Sequence, residues 1–259
     1  MLTIKNYVKV KSLEEAYELN QKKSNRVIGG MLWLRLSDLR VQTAIDLSGL
    51  GLEQIEETEE AFSIGCMTPL RQLELHGGLD CYTGGALRES LRHIVGVQFR
   101  NLATVGGSIY GRFGFSDVLT MFLVLDTYVE LYRGGILSLK EFLARKKDRD
   151  ILVRLIVKKK PVSCCYISQR NTKTDFPVLT CAAACLDGRY RAAIGARPAA
   201  AVLVEEEGEM MQDPNREQAA KAFANRVAEQ VATGSNMRAG KEYRTHLCRV
   251  LTERAVSRL

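Results

Sequence analysis

Two pairs of adjacent glycines are the residues of this sequence whose types and spacing could do chemistry. The first pair is Gly29 and Gly30, and the second is Gly106 and Gly107, which Gly111 follows closely. Glycine allows a backbone turn with positive φ and lets another group approach the amide hydrogens. Several consecutive amides arranged in this way form a concave anion site that suits a phosphate or pyrophosphate. Two such loops could bind one extended dinucleotide, although glycine pairs are also common in ordinary turns.

Other patterns that bind nucleotides or catalyse group transfer are absent from the sequence. Neither glycine pair belongs to a GxGxxG fingerprint, and there is no GxxxxGK[ST] phosphate loop. No HExxH motif, Ser-His-Asp set or paired carboxylates are evident, and His76, His93 and His246 are interpreted as surface residues. We therefore expect no catalytic side chain, so that redox chemistry would have to come from a bound cofactor.

The cysteines form no recognisable metal-binding or disulfide pattern. They occur at positions 66, 81, 164, 165, 181, 185 and 248, an odd number without a CxxC motif. Cys181 and Cys185 are spaced so that they could lie near one another, but no second ligand pair is close in sequence. We therefore expect buried free thiols and predict no metal site.

The charge and hydropathy patterns limit the class of protein. The chain has 259 residues and a formal net charge of +7, and its basic residues are dispersed apart from Lys158, Lys159 and Lys160. This distribution argues against nucleic-acid binding and favours either a solvated face or a surface for anionic ligands or partner subunits. The apolar run from Val118 to Leu125 is too short to span a bilayer, and the polar amino terminus lacks a secretory signal. We expect a soluble cytoplasmic protein that does not bind membranes.

Local patterns around the glycine pairs predict the elements that must position them. Ser12-Leu-Glu-Glu15 fits a capping box for a helix, and residues 41–47 alternate as a strand does. The first pair would therefore lie in a β-α-β-like unit of about fifty residues. Thr68 followed by Pro69 predicts a helix start. The other elements predicted in this half are strands at 62–67, 128–132 and 150–157, a buried helix at 118–125 and a capping box at Ser138-Leu-Lys-Glu141.

The second half of the sequence reads as strands followed by helices. The predicted strands are 164–168, 178–186 and 190–194, and the predicted helices are 216–232 and 240–258. Asp187-Gly188 predicts a hairpin turn between the last two strands. In the last helix, Tyr243, Leu247, Val250 and Leu251 are predicted to form an apolar stripe. This order indicates a small α+β domain that begins near residues 158–162.

One segment of the sequence runs Gln98-Phe-Arg-Asn-Leu-Ala-Thr-Val-Gly-Gly-Ser-Ile109. It closely resembles the pattern Q-I-R-N-x-A-T-I-G-G-N, which is the signature of the molybdenum hydroxylase flavoproteins. These include the FAD-binding subunit of carbon monoxide dehydrogenase and the FAD domain of xanthine dehydrogenase. Further matches follow in the family's order. Ile28-Gly-Gly30 is similar to A-G-G-T-D, Ile64-Gly-Cys-Met67 to I-G-A-x-T, and Asn236-Met-Arg-Ala-Gly-Lys-Glu-Tyr-Arg244 to D-x-R-A-S-x-x-Y-R.

The resemblance implies a fold and a domain organisation. The fold would be α+β, with a two-lobed FAD-binding domain of the PCMH type at residues 1–160. Its lobes would comprise about 1–50 and 51–160. A carbon monoxide dehydrogenase flavoprotein-like domain at 161–259 would add an antiparallel sheet and helices.

The resemblance also implies a FAD site built from two segments, called here the first glycine loop (residues 26–32) and the second glycine loop (residues 104–108). They would wrap the pyrophosphate and adjoining ribitol, largely through backbone amides. Thr104 and Ser108 would add hydroxyl contacts, and Gly111 would bring its backbone near the cofactor. The implied residues of this part are Arg26, Val27, Ile28, Gly29, Gly30, Met31, Leu32, Thr104, Gly106, Gly107, Ser108 and Gly111.

Three further residues would bind the adenosine part of FAD. By resemblance, Asp117 would accept hydrogen bonds from the ribose, and Ile151 or Leu152 would pack on the adenine. Each has an alternative interpretation. Asp117 comes at the start of a predicted helix, where it could simply interact with the helix dipole. Ile151 and Leu152 would be apolar strand residues in any case.

The sequence departs from the family pattern at several positions. Met31 and Leu32 replace the usual Thr-Asp after the glycine pair, which removes a hydroxyl and a carboxylate from the first glycine loop. Ser108 stands for the commoner Asn. A basic residue that many relatives carry on the first strand of the second half is missing, and Arg170 or Lys173 could substitute for it.

The implied function is that of the FAD-binding electron-transfer subunit of a xanthine dehydrogenase-like molybdenum hydroxylase, an oxidoreductase. A molybdopterin-binding large subunit and a 2Fe–2S small subunit would be its partners. Electrons would pass from the iron–sulfur clusters through FAD to an acceptor such as NAD. The alternative, motivated by Met31 and Leu32, is a non-catalytic scaffold or assembly protein of the same fold that has lost FAD binding.

Overall fold

The structure is a computed structural model that describes residues 1–206 and 216–259. The chain forms two compact units whose segments alternate along the sequence. The first unit comprises Met1–Leu73, Val97–Gly111 and Tyr128–Val157, and the second comprises Glu74–Gly96, Arg112–Thr127 and Lys158–Leu259. The division into domains at residues 1–160 and 161–259 stays a prediction.

Helices and strands are mixed along the chain, which confirms the predicted α+β class. The strands are β1 (Thr3–Lys9), β2 (Arg26–Ile28), β3 (Arg40–Asp46), β4 (Ile55–Glu57), β5 (Ala61–Gly65), β6 (Thr127–Leu131), β7 (Gly135–Ser138), β8 (Leu152–Lys158), β9 (Val162–Arg170), β10 (Pro177–Leu186), β11 (Arg189–Gly195) and β12 (Val202–Glu205). The helices are α1 (Leu13–Asn20), α2 (Leu70–Leu75), α3 (Gly77–Tyr82), α4 (Ala86–Leu91), α5 (Val97–Leu102), α6 (Val105–Tyr110), α7 (Asp117–Val124), α8 (Leu139–Ala144), α9 (Arg216–Gln230) and α10 (Lys241–Val256), with a 3-10 turn at Leu34–Leu36.

A parallel sheet in the order β1-β3-β2 opens the first unit. Helix α1 begins at Ser12, whose side chain accepts a hydrogen bond from the Glu15 amide at 3.1 Å. The Glu15 carboxylate accepts from the Lys11 amide rather than from Ser12, at 2.8 Å. Strand β2 then pairs with β3, with Ile28 opposite Asp46. The predicted β-α-β unit is confirmed, and the first glycine loop runs out of the end of β2.

The other sheet of the first unit has the order β4-β5-β8-β6-β7. The strands predicted at 62–67, 128–132 and 150–157 correspond to β5, β6 and β8. Ser138 caps α8 through the predicted reciprocal pair of bonds. Its hydroxyl accepts from the Glu141 amide at 3.1 Å, and the Glu141 carboxylate accepts from the Ser138 amide at 2.9 Å. This capping box is therefore confirmed.

The second unit contains an antiparallel sheet in the order β12-β11-β10-β9, which shares a hydrophobic core with α9 and α10. Every residue of β10 is buried. Asp187 and Gly188 connect β10 to β11 with φ values of 52° and 76°, the positive values that a two-residue hairpin turn requires. The predicted hairpin is confirmed, as is the burial of the helix predicted at 118–125, since all eight residues of α7 are buried.

The apolar stripe predicted on the last helix is partly wrong. Leu247 and Leu251 are buried in the core of the second unit, but Tyr243 is 48% exposed and Arg244 is fully buried. The Arg244 guanidinium can be buried because it donates to the carbonyl oxygens of Val178, Gly234 and Ala239 at 2.9, 2.8 and 2.6 Å. A buried charge is tolerated when its donors are satisfied in this way.

Candidate functional site

The two glycine loops lie directly against each other in the first unit. A methyl group placed on Gly29 would lie 2.6 Å from Thr104 Oγ1, and one placed on Gly30 would lie 1.9 Å from the Leu102 carbonyl oxygen. Neither position can therefore carry a side chain without a shift of its neighbour. The sequence placed these segments more than seventy residues apart, and the fold brings them into contact.

The first glycine loop has unpaired backbone donors. Within the described part of the chain, the N–H groups of residues 29–32 donate no hydrogen bond. Met31 has a left-handed backbone with φ of 57°, which few residues other than glycine adopt. Backbone N–H groups that lack a protein acceptor prefer to be paired, and a run of four such groups can bind an anion.

The second glycine loop, in contrast, uses its amides inside the protein. The Val105 amide donates to Thr68 O at 2.9 Å, and the Gly106 amide donates to Cys66 O at 2.7 Å. The Gly107 and Ser108 amides both donate to Thr104, at 3.1 Å to its Oγ1 and to its carbonyl oxygen. These are the bonds that begin α6. What this loop offers a ligand is therefore the hydroxyl group of Thr104, whose hydrogen is still available to donate.

Gly106 is a point of close backbone packing. A methyl group on Gly106 would lie 2.6 Å from Cys66 O and 2.8 Å from the Cys66 Cβ atom. Cys66 is itself buried, and burial raises the pKa of its thiol to about 12. The thiol therefore stays protonated at neutral pH and packs as a small apolar side chain. Of the seven cysteines, all are free thiols and Cys81 is the exposed one.

The start of the first glycine loop is structural. Arg26, Val27 and Ile28 are the three residues of β2, and Ile28 is buried. The Arg26 guanidinium donates to the carbonyl oxygens of Lys23 and Asn25 at 2.5 and 2.8 Å. These contacts fix the turn before β2. The Arg26 side chain therefore binds residues that precede it in sequence rather than facing residues 29–32 along the chain.

Gly111, Ile151 and Leu152 also lie in the first unit. Gly111 ends α6, with its amide donating to Gly107 O at 3.1 Å, and its carbonyl oxygen accepts from Lys147 Nζ at 2.7 Å. Ile151 and Leu152 are 2% and 5% exposed. Their side chains therefore belong to the apolar interior.

Asp117 lies in the second unit, at the first position of α7, and it is buried. Its Oδ1 atom accepts hydrogen bonds from the Tyr166 hydroxyl and from Arg170 Nη2. Burial raises the pKa of Asp117 to about 6, and the Arg170 cation opposes this rise. Arg170 also donates to Asp175 O at 2.6 Å, so its guanidinium group binds both Asp117 and Asp175. Lys173, the other cation considered from the sequence, has no such contact with Asp117 in the described residues.

The histidines differ in part from the surface positions expected for them. His246 is exposed, whereas His76 and His93 are half-buried. The His76 ring caps α3, where Nδ1 accepts from the Leu79 amide at 3.2 Å. His93 Nε2 lies 3.6 Å from the Glu89 carboxylate, and burial lowers its pKa.

In residues 1–206 and 216–259, no group of three or more His, Cys, Asp and Glu side chains is arranged to hold a metal ion. None of the described helices has both the length and the apolar character needed to cross a membrane.

Sequence reasoning missed one cluster of contacts in the first unit. Arg149 donates to backbone carbonyl oxygens of the turn that precedes β2, including Lys22 O at 2.8 Å and Asn25 O at 3.0 Å. Nothing in the local sequence distinguishes Arg149 from the neighbouring charged residues. Only the contact over more than a hundred residues reveals it.

Comparison with known proteins gives matches across the whole chain. The family described as the FAD binding domain in molybdopterin dehydrogenase matches residues 2–159. The uncharacterized protein YgfM of Escherichia coli (strain K12) is 28% identical over 189 residues, which cover 71% of each chain. Quinoline 2-oxidoreductase from Pseudomonas putida 86 matches in structure with a TM-score of 0.81 and 18% identity, over 100% of this chain and 96% of that one.

A carbon monoxide dehydrogenase also matches. The enzyme from Oligotropha carboxidovorans gives a TM-score of 0.83 at 20% identity, covering 100% of this chain and 97% of that chain. At these identities the solved structures show a common fold. The family match shows more, since it covers more than half of this chain.

Proposed function

This chain belongs to the family of FAD-binding domains of molybdopterin dehydrogenases, and from that membership we propose that it is the electron-transfer subunit of a xanthine dehydrogenase-like molybdenum hydroxylase. In this role FAD supplies the redox chemistry, while the protein binds and orients it. The chain is a component of an oxidoreductase complex, with no catalytic side chain of its own.

The single observation that carries the proposal is the run of unpaired amides at residues 29–32. A pyrophosphate is the part of FAD that such donors recognise, because it is anionic and rich in acceptor oxygens. Met31 and Leu32 remove a hydroxyl and a carboxylate from the family pattern. They leave the backbone donors in place, however.

The second glycine loop is proposed to contribute side-chain hydroxyls to the same site. Thr104 Oγ1 accepts from Gly107 and can donate its hydrogen to a phosphate oxygen. Ser108 Oγ donates to Thr104 O at 3.1 Å, and Ser108 is proposed to add a hydroxyl contact to the same part of FAD. We propose that the backbone at Gly111 lies close to the same part of FAD.

The adenosine part is proposed to involve Asp117, Ile151 and Leu152. Since Tyr166 and Arg170 both bind Oδ1 of Asp117, Oδ2 is the atom proposed to accept from the ribose. Arg170 then has the role left open by the missing basic residue, because it holds that carboxylate in place. Ile151 or Leu152 is proposed to offer apolar surface to the adenine.

The proposed partners are a molybdopterin-binding large subunit and a 2Fe–2S small subunit, with NAD as the electron acceptor. In this proposal, electrons reach FAD from the iron–sulfur clusters of the small subunit. Purification of the tagged chain from its native cell, followed by iron and molybdenum analysis, tests this part. The proposal predicts both metals in the purified complex, and the absence of both would contradict it.

An absorption spectrum tests the cofactor part. The purified chain is incubated with FAD, desalted and measured, with a flavin band expected at about 450 nm and about one FAD per chain. Anaerobic addition of NADH then tests the acceptor, because a site that delivers electrons to NAD also accepts them from NADH. Bleaching of the band supports NAD. A chain that retains no flavin would instead support the scaffold alternative.

A further inference from the structure

The segment Lys147–Asp150 is linked to three parts of the proposed FAD site in the first unit. These are the end of α6, Ile151 and, through Arg149, the turn before the first glycine loop. Lys147 Nζ donates to Gly111 O at 2.7 Å, and the Tyr110 hydroxyl donates to Asp148 O at 2.9 Å. These two contacts hold the end of α6, which begins in the second glycine loop. On its other side the segment leads directly into Ile151 and β8. One short segment therefore touches elements that are far apart in sequence.

Arg149 connects this segment to the turn before the first glycine loop. Its Nε atom donates to Asn20 O, and its Nη2 atom donates to Asn20 Oδ1, Lys22 O and Asn25 O at 3.1, 2.8 and 3.0 Å. All of these acceptors lie within six residues, on the turn from α1 to β2. A planar guanidinium can span several acceptors in this way, and a point charge cannot.

The contact is reciprocal. Asn20 Nδ2 and Gln21 Nε2 both donate to Arg149 O, at 2.8 and 3.1 Å. The backbone and the side chain of Arg149 are therefore both fixed by the same turn. Arg149 is half-buried, which strengthens these hydrogen bonds because water competes less for them.

Strand β2 depends on an anchor of this kind. It has three residues and lies at the edge of its sheet, where it pairs with β3 alone. So short an edge strand holds its place weakly through its own ladder. At its far end, Gly29 and Gly30 contact Thr104 and Leu102. At its near end, the turn at residues 20–25 is held by Arg149.

We infer that Arg149 is the positioning residue of the first glycine loop, setting through the turn at residues 20–25 where the amides of residues 29–32 point. The inference rests on the proposed function where it concerns FAD affinity. Its structural part, the order of the loop, does not depend on FAD. The two parts therefore have separate measurements.

The test compares Arg149→Ala and Arg149→Lys with Arg197→Ala as the matched control. Arg197 lies in the second unit, is also half-buried, and likewise donates to backbone carbonyl oxygens, at 2.8 Å to Ala200 O and 2.7 Å to Ala232 O. Its loss should destabilise the protein by a similar mechanism without affecting the first glycine loop. Amide hydrogen exchange is measured without FAD on the segment of residues 20–32, where the hydrogen-bonded amides precede residue 29 and report the order of the turn and of β2. The Kd for FAD is measured by fluorescence titration.

We expect Arg149→Ala to speed exchange over residues 20–32 and to raise the Kd for FAD at least about tenfold. Arg149→Lys keeps the charge and nearly the same volume. It therefore still tests the inference if the alanine variant does not fold. Its single ammonium group cannot span the acceptors, and its Kd for FAD should stay raised. Arg197→Ala should leave the exchange and the Kd unchanged, whatever it does to the melting temperature.

Wild-type exchange over residues 20–32 in both Arg149 variants would overturn the inference. So would a Kd for FAD that changes no more than in Arg197→Ala while the wild type binds FAD. A wild-type protein that binds no FAD would contradict the proposed function alone, because the exchange measurement would still decide whether Arg149 orders the loop.

Discussion

Gly30 and Leu102 approach each other so closely that a methyl group on Gly30 would lie 1.9 Å from the Leu102 carbonyl oxygen. This contact joins the first glycine loop to the residues just before the second one. It gives Gly30 a packing role that is independent of any cofactor. It holds the loop that contains the four unpaired amides at residue 30, while Arg149 holds the turn before β2.

Gly30→Ala is therefore expected to lower the free energy of unfolding by more than about 3 kcal/mol, because the clash is with backbone that cannot rotate away. Gly29→Ala should cost about 1 kcal/mol, since it displaces only the Thr104 hydroxyl that caps α6. Urea denaturation measures both. Adding Thr104→Ala to Gly29→Ala should lower the free energy of unfolding by almost nothing further. The reason is that the Thr104 hydroxyl, which Gly29→Ala already displaces, is absent from the double variant. A Gly30→Ala protein as stable as the wild type would contradict the packing role.

The pair formed by Arg170 and Asp117 predicts a pH dependence. The folded pKa of Asp117 is raised to about 6, mainly by burial. Its contribution to stability is therefore complete near pH 4 and is lost as the pH rises to about 6. Arg170→Met removes the opposing cation, which raises this pKa further, so the loss continues above pH 6. Between pH 6 and the higher pKa that Asp117 has in the variant, the variant should fall below the wild type by about 1.4 kcal/mol for each pH unit, and the difference should then stay constant.

Urea denaturation of both proteins between pH 4 and pH 8 measures this difference. Asp117→Asn is the control background, because the residue no longer titrates there. In that background, Arg170→Met should have a cost that does not change with pH. A cost in the native background that is equally independent of pH would show that Asp117 does not titrate against Arg170.

Arg244 predicts a large loss of stability far from the glycine loops. Arg244→Met keeps the length of the side chain but removes a hydrogen-bond donor from three backbone carbonyl oxygens and from Asn236 Oδ1, which lies at 2.6 Å. We expect a loss of about 3 kcal/mol or more. The neighbouring Arg249 is exposed, so Arg249→Met should change stability by less than about 0.5 kcal/mol. Equal effects of the two substitutions would be inconsistent with the buried hydrogen bonds of Arg244.

Local chemistry made several elements predictable from the sequence. Some elements depend only on residues that are close in sequence, so their patterns can be recognised from the sequence alone. Examples are the capping box of Ser138 and Glu141 and the turn at Asp187-Gly188. Strands β1 and β12 were missed for the opposite reason. Both are edge strands, and β1 exposes most of its residues, so neither has the alternation that burial of one face produces.

The site itself was predictable only in part. The resemblance pointed to both glycine loops, but spacing alone could not show that they touch, or that the second loop uses its amides internally. Contacts between residues that are far apart in sequence could not be predicted from the sequence. Arg149 reaches Asn20 across 129 residues, and Arg170 reaches Asp117 across 53. Arg149 looks like an ordinary surface charge in the sequence, and Arg170 was considered there only as a substitute for a missing basic residue.

The most direct test of the account is FAD binding by Met31→Asp and Met31→Asn. Both residues tolerate the left-handed backbone at this position, and they have the same size, so the charge is the difference between them. A carboxylate at residue 31 would compete with phosphate for the unpaired amides and repel it. We predict that the Kd for FAD of Met31→Asp exceeds that of Met31→Asn by at least about tenfold, or 1.4 kcal/mol. Equal dissociation constants would contradict the claim that residues 29–32 bind the pyrophosphate.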